Sequence, residues 1–145
     1  MPIESDDVVK VLNELLEVEL AGAVRYTQYS LMVYGHGRIP IMSWMREQAT
    51  EALMHAALVG EEVTTLGAKV SLGIGTLVGT HHETVDEMMQ EMLLHERHGL
   101  DLYYRLLELV ENRSVSLEEL AREMIRNEAL HISEIEKMAR RRGDA

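Results

Sequence analysis

The chain has 145 residues and a mass of 16.5 kDa, so a single domain over residues 1–145 is expected. Its 25 Asp and Glu residues against 14 Lys and Arg residues give a net charge of −11, which argues against nucleic-acid binding because phosphates are bound by clustered basic side chains. The chain has no cysteine, which excludes disulfides, thiolate zinc sites and iron–sulfur clusters.

Long apolar segments with helical periodicity, separated by glycine-rich links, predict four α-helices. No segment alternates as a strand would, apart from the short apolar piece over residues 68–78. Ser5 is the expected N-cap of the first helix, and Pro40 suits the first turn of the second. Capping-box patterns that begin at Thr84 and Ser116 predict the starts of the third and fourth helices. The expected helices cover residues 5–34, 40–67, 84–112 and 116–143.

The links between these helices predict the topology. Short links after the first and third helices indicate two antiparallel hairpins. The link over residues 66–82 is much longer than a hairpin turn needs, and it can cross the bundle from end to end. We therefore expect an all-α protein, a four-helix bundle with one long crossover between helices two and three, which is the ferritin-like arrangement.

The sequence shows neither a secretory signal nor a membrane-spanning run. The first residues show no basic region followed by an apolar stretch, as a secretory signal requires. No run approaches the roughly 18 apolar residues that a membrane span requires. A cytoplasmic protein without a membrane partner is expected.

Three glutamates lie on the apolar faces of their helices. All the other residues on the helical face of Glu19 are apolar, small or aromatic. Glu96 and Glu128 have similar neighbours on their own helices. An ionised carboxylate in such a place costs several kcal/mol unless something compensates its charge. No Lys or Arg is placed to pair with all three, so a shared cation is the simplest explanation.

The second half of the chain repeats the first at an offset of 96 − 19 = 77 residues. The pattern E-x-x-G-x-x-x-Y begins at residues 19 and 96, and E-A-L followed by His begins at residues 51 and 128. A duplicated hairpin would direct four glutamates and two histidines to one point, where two divalent cations would neutralise four carboxylates. Oxygen and imidazole donors suit iron or manganese. The predicted metal ligands are Glu19, Glu51, His55, Glu96, Glu128 and His131.

The sequence resembles the bacterioferritin branch of the ferritin-like di-iron carboxylate superfamily over nearly its whole length. Residues 19–26, 72–75 and 128–131 carry most of the likeness. The resemblance implies a ferroxidase centre that oxidises Fe²⁺ to Fe³⁺ with O₂ or peroxide, in iron homeostasis, storage or detoxification. It implies two Fe ions as cofactors, with Mn or Zn as substitutes.

The resemblance also implies a role for each ligand. Glu19 and Glu96 would each bind one metal, Glu51 and Glu128 would bridge the two metals, and His55 and His131 would complete the coordination. Tyr26 and Tyr103 lie seven residues beyond the first two glutamates and return to nearly the same helical face. They are expected to be hydrogen-bond partners of the ligands.

The second helix departs from the family pattern. It reads E-x-x-x-H rather than E-x-x-H, so either both groups reach the metals from one face or Met54 is the extra residue of a π-bulge. Glu47 and Glu62 lie near the same stripe and are rival ligands. Ala52 stands where the family has its haem-binding methionine, so haem is not expected. Because no fifth helix follows the fourth, a homo-oligomer is expected to be a dimer rather than a 24-subunit cage.

Two other functions stay open on the sequence. The protein could be a di-iron or iron–manganese oxidase or peroxidase that acts on another substrate and stores no iron. It could also be a metal-free structural bundle whose glutamates pair among themselves.

Overall fold

The computed structural model describes residues 3–77 and 82–140, which contain four α-helices. They are α1 (Ser5–Met32), α2 (Arg38–Thr65), α3 (Val85–Val110) and α4 (Val115–Ala139). The described residues contain no strand. None of their helices is long and apolar enough to cross a membrane. The all-α class and the number of helices are therefore confirmed.

The ends of α1 and α2 differ from the prediction by a few residues. Ser5 is the first helical residue of α1 rather than its N-cap, which is Glu4. α1 ends before the expected Tyr34. α2 begins at Arg38, two residues before Pro40. Proline is tolerated there because the first four N–H groups of a helix have no partner within it.

The start of α3 is confirmed and that of α4 is corrected. Thr84 is the N-cap of α3, and its hydroxyl accepts a hydrogen bond from the N–H of Glu87 at 3.2 Å. α4 is capped by Ser114, not Ser116. α3 ends before the expected Asn112, which has φ +63°, a left-handed conformation that ends the helix. α4 ends at Ala139, and its expected end, residue 143, lies outside the described residues.

The helices pack as two antiparallel hairpins, α1 with α2 and α3 with α4, joined by an α1–α3 contact. α1 and α3 run antiparallel, since Tyr26 contacts Glu96 and Tyr103 contacts Glu19. In contrast, no Cα atom of α2 lies within 8 Å of a Cα atom of α4. A groove between α2 and α4 follows from this separation.

Two hydrophobic clusters fill the bundle. One is built around residues such as Leu15, Val59 and Leu106, and the other around residues such as Tyr29 and Met92. Along every helix the predicted metal ligands fall between the two clusters. The bundle therefore holds a polar layer at mid-height, enclosed by apolar packing at both ends.

The described part of the crossover lies against α1. The side-chain oxygen of Asn13 accepts a hydrogen bond from the N–H of Ser71 at 2.9 Å, and the carbonyl of Glu17 accepts one from the N–H of Gly75 at 2.8 Å. A Cβ atom on Gly75 would lie 2.9 Å from that carbonyl oxygen. Only glycine lets the crossover lie this close to α1.

Candidate metal centre

Three buried carboxylates occupy the polar layer. Glu19, Glu96 and Glu128 are 6 %, 7 % and 2 % exposed. They come from α1, α3 and α4, at the positions whose apolar neighbours predicted burial. His55 on α2 is also buried, and His131 on α4 is half-buried. The layer thus combines carboxylate and imidazole donors inside an apolar bundle.

These side chains form two overlapping groups of donor atoms. Glu19, His55 and Glu128 make one group, and Glu96, Glu128 and His131 make the other, with the donor atoms of each group within 4.8 Å of one another. Nδ1 of His55 lies 3.6 Å from Glu19, and Nδ1 of His131 lies 3.9 Å from Glu96. Glu128 belongs to both groups, as a ligand shared by two ions would.

Two tyrosines donate hydrogen bonds between α1 and α3 to Glu96 and Glu19, the outer carboxylates of the layer. The hydroxyl of Tyr26 donates to Oε1 of Glu96 at 2.7 Å, and that of Tyr103 donates to Oε1 of Glu19 at 3.1 Å. Burial raises the pKa of both tyrosines well above the ordinary value, and the nearby carboxylates add to this. Both hydroxyls therefore stay protonated and act as donors.

Protons compensate the buried charge where no metal is present. Burial raises the pKa of Glu128 well above its usual range, and the neighbouring Glu96 reinforces the shift. Burial also opposes ionisation of Glu96, but hydrogen bonds with Glu128 and His131 outweigh it and lower its pKa to about 2. The two shifts run in opposite directions, as expected of two carboxyl groups that share a buried site.

The two histidines have raised pKa values as well. Burial disfavours their charged forms, but Glu19 raises the pKa of His55, and Glu96 raises that of His131. The neighbouring carboxylates thus favour the protonated form of both imidazoles. A divalent ion would replace these protons, since metal ligands bind in their deprotonated forms.

Glu51 lies outside both donor groups. Its Oε2 lies 3.0 Å from Nε2 of His131, and its Oε1 lies 3.5 Å from Nε2 of His55. Its side chain is 35 % exposed, whereas the three carboxylates of the layer are buried. The rival candidates Glu47, which is exposed, and Glu62 belong to neither group.

The unusual spacing of Glu51 and His55 occurs in a regular helix. α2 is α-helical from Arg38 to Thr65, so the hypothesis of a π-bulge at Met54 is wrong. The side chain of Met54 is 61 % exposed. The four-residue spacing brings His55 into the layer and leaves Glu51 on its outer side.

Unpaired polar atoms show that the layer suits a metal ion. Nδ1 of His55, Oε2 of Glu128 and Oε1 of Gln48 are buried and have no hydrogen-bond partner. The cavity among these residues has a volume of about 10 Å³, the space of roughly one water molecule. The donor set and the small cavity fit divalent ions bound by oxygen and imidazole, and they leave no room for an organic substrate.

Gln48 is a residue of this cavity that the sequence analysis missed. It lies on α2 one turn before Ala52 and two turns before His55, and all three residues line the cavity. The helical spacing of these three residues is the signal in the sequence that identifies Gln48, a neutral residue, as part of the cavity. Glu51 does not line the cavity.

The groove between α2 and α4 leads from solvent to this layer. It has a volume of about 730 Å³, and Glu51 and His55 are among its lining residues. Arg46, Glu47 and Glu123 are polar residues of its walls. Glu51 therefore stands between the groove and the buried donor groups.

Comparison with known proteins agrees with this architecture. The model of the family described as "Ferritin-like domain" matches residues 9–142. No functionally curated protein matches the sequence. Among solved structures, a ferritin-like diiron-carboxylate protein from Bacillus anthracis str. Ames has a TM-score of 0.86 and 22 % identity, covering 97 % of this chain and 100 % of that one.

Two further structures show the same fold. The dodecameric thioferritin, a bacterioferritin-related protein from Bacteroides fragilis, has a TM-score of 0.86 and 16 % identity, covering 93 % of this chain and 85 % of that one. The Desulfovibrio desulfuricans bacterioferritin, whose diiron site was studied in different catalytic states, has a TM-score of 0.82 and 20 % identity, covering 93 % and 79 %. The predicted fold class is confirmed.

Proposed function

Because this chain belongs to the ferritin-like domain family, we propose that it binds iron and oxidises Fe²⁺ to Fe³⁺ in the polar layer of its bundle. The observation that carries the proposal is the pair of overlapping donor groups that share Glu128. Two ions held side by side can deliver two electrons to one oxidant, so no radical has to leave the site.

The residues of each group have distinct tasks. Glu19 and His55 would hold one Fe²⁺, Glu96 and His131 would hold the other, and Glu128 would contact both. Two Fe²⁺ lose one electron each, and one O₂ takes up both electrons and two protons to give H₂O₂. With peroxide as the oxidant, the same two electrons and two protons give two H₂O. Mn²⁺ or Zn²⁺ would occupy the same donors.

The two tyrosines prepare the outer carboxylates for this task. Tyr26 occupies one oxygen of Glu96 and Tyr103 one oxygen of Glu19, so each carboxylate has its other oxygen available for a cation. Groups that orient ligands in this way tune both the affinity and the geometry of a metal site.

The wide groove supports a second candidate function. An oxidase or peroxidase that stores no iron needs room for another substrate beside the metals, and the 730 Å³ groove reaches Glu51 and His55. For either function we expect a homo-oligomer, with a dimer favoured over a 24-subunit cage. The native mass separates the two functions, because a storage protein needs a closed shell to contain its mineral.

Iron binding tests the proposed function directly. We expect an anaerobic Fe²⁺ titration to saturate at about two ions per chain and to raise the thermal stability of the protein. Admission of air should then produce ferric absorption. Glu128→Ala should abolish binding of the second ion, whereas Glu123→Ala, an exposed position on the same helix, should not.

Two results would contradict the proposal. A Glu128→Ala variant that bound and oxidised two ions normally would show that the site is elsewhere. A wild-type protein whose stability did not change with Fe²⁺ or Zn²⁺ would favour the metal-free bundle.

A further inference from the structure

Glu51 contacts both histidines of the centre on the side that faces away from the buried carboxylates. Its two oxygens lie 3.0 Å and 3.5 Å from Nε2 of His131 and of His55. The two rings are nearly parallel, at 16°, with their centroids 6.4 Å apart. One carboxylate therefore spans two stacked imidazoles.

The opposite nitrogens of the same rings face the donor groups. Nδ1 of His55 lies 3.6 Å from Glu19, and Nδ1 of His131 lies 3.9 Å from Glu96. A neutral imidazole has one N–H and one lone pair, so the hydrogen bond between Glu51 and Nε2 of His131 leaves the lone pair of that ring at Nδ1. Nδ1 of His55 is also buried without a hydrogen-bond partner, as expected of an atom reserved for a metal.

The geometry of α2 explains why Glu51 stays on the outer side. Gln48, Ala52 and His55 are spaced by four and three residues and form the stripe that lines the cavity. Glu51 precedes Ala52 by one residue, which turns its side chain by about 100° around the helix. Its partial exposure and its contacts with both Nε2 atoms follow from that rotation.

We propose that Glu51 is a positioning residue that accepts Nε2–H from both His55 and His131 and so directs both Nδ1 lone pairs to the metals. This role replaces the bridging role that the family resemblance implied for Glu51, and it leaves Glu128 as the one carboxylate shared by two ions. The proposal rests on the proposed function for its metals, but the orientation of the imidazoles can be tested without them.

Nitrogen-15 NMR of labelled histidine tests the role directly. In metal-free protein at alkaline pH, where both rings are neutral, His55 and His131 should be Nε2–H tautomers in the wild type. Glu51→Ala should turn both into tautomer mixtures, and Glu47→Ala, an exposed neighbour in the same groove, should leave them unchanged. Glu51→Gln should preserve the tautomer of one ring only, because an amide has a single acceptor oxygen.

Zn²⁺ binding then separates a positioning residue from a bridging ligand. Glu51→Ala should still bind two Zn²⁺ per chain, with affinity lowered about 10–100-fold and with faster exchange of both Nε2–H protons. A variant that bound one Zn²⁺ and kept both Nε2–H signals unchanged would overturn the proposal in favour of a bridging Glu51. Unchanged tautomers in metal-free Glu51→Ala would overturn it as well. A wild type that bound no Zn²⁺ or Fe²⁺ would contradict the proposed function, and the metal-free spectra would still decide the role of Glu51.

Discussion

Tyr26 on α1 donates its hydroxyl hydrogen to Glu96 on α3 over 2.7 Å, and both side chains are buried. The bond links two helices of different hairpins across the polar layer. It also fixes which oxygen of Glu96 stays available to a cation. The relationship is repeated, in the reverse direction, by Tyr103 and Glu19.

Removal of this hydroxyl should weaken metal binding. We expect Tyr26→Phe to lower the affinity for Fe²⁺ or Zn²⁺ about 10–100-fold, because Glu96 loses the donor that orients it. The affinity is measured by anaerobic calorimetric titration, and Tyr104→Phe, at a half-exposed tyrosine of α3, serves as the control. An unchanged affinity in Tyr26→Phe would show that the hydroxyl does not position the carboxylate.

The unpaired, buried side-chain oxygen of Gln48 should lower the free energy of unfolding of the metal-free protein. Gln48→Met keeps the length of the side chain and removes the buried acceptor, so we expect the free energy of unfolding to rise by about 1 kcal/mol. Urea unfolding of metal-free protein measures the change, and Glu47→Met at the exposed neighbouring position should change it little. A clear loss of stability in Gln48→Met would mean that the amide is bonded in solution.

The ion pair of Glu91 with Arg25 should make the protein sensitive to acid. Burial disfavours the charged form of Glu91, but hydrogen bonds from Arg25 and Tyr29 and the nearby charge of His82 lower its pKa below the ordinary value. Because the folded-state pKa is depressed, this stabilisation is complete above the unfolded pKa of about 4.3 and is lost as pH falls through the folded pKa.

Glu91→Gln is the variant that isolates this contribution. At neutral pH it should lower the free energy of unfolding by on the order of 2 kcal/mol, and the difference from wild type should shrink in acid. Urea unfolding at several pH values provides the measurement. Glu136→Gln, which removes an exposed pair with Arg97 at 3.7 Å, should have almost no effect. A Glu91→Gln difference that did not vary with pH would refute the assignment.

The approach of the crossover to α1 should make Gly75 intolerant of a side chain. Gly75→Ala places a Cβ atom 2.9 Å from the carbonyl oxygen of Glu17, a backbone atom that cannot move aside, so we expect a loss of about 1–3 kcal/mol. Gly73→Ala meets only the side chains of Glu17 and Ser71 at 3.3 Å, which can rotate away. Thermal unfolding of both variants compares them, and equal stabilities would contradict the close approach.

The sequence was sufficient to predict the helices and the crossover, because helical periodicity and link length are strong signals. It was less reliable at helix ends. Ser116 matched a capping box, yet Ser114 caps α4, with its hydroxyl accepting from the N–H of Leu117 at 3.4 Å. Two serines so close together offer the same local chemistry, and only the path of the preceding turn, where Asn112 is left-handed, decides between them.

The sequence was also only partly sufficient to predict which side chains enter the polar layer. Spacings of three and four residues both return to one helical face, so the repeat could not distinguish a glutamate inside the layer from one on its rim. Successive side chains of an α-helix are rotated by about 100° around its axis. The packing of α2 determines that His55 and Gln48 face the cavity while Glu51 does not. That packing depends on contacts with other helices, which a single helical pattern does not contain.

The reciprocal tyrosine–glutamate bonds join equivalent positions of the sequence repeat, one in each hairpin. Two separate identical hairpins could build such a centre only while they remained associated, and both would carry one common Glu-to-His spacing. Covalent linkage through the crossover makes their assembly intramolecular, with an effective concentration on the order of millimolar. It also allows the two hairpins to differ in sequence. Glu51 precedes its histidine by four residues, whereas Glu128 precedes its histidine by three. A centre built from two similar hairpins can in this way have two chemically unlike sides.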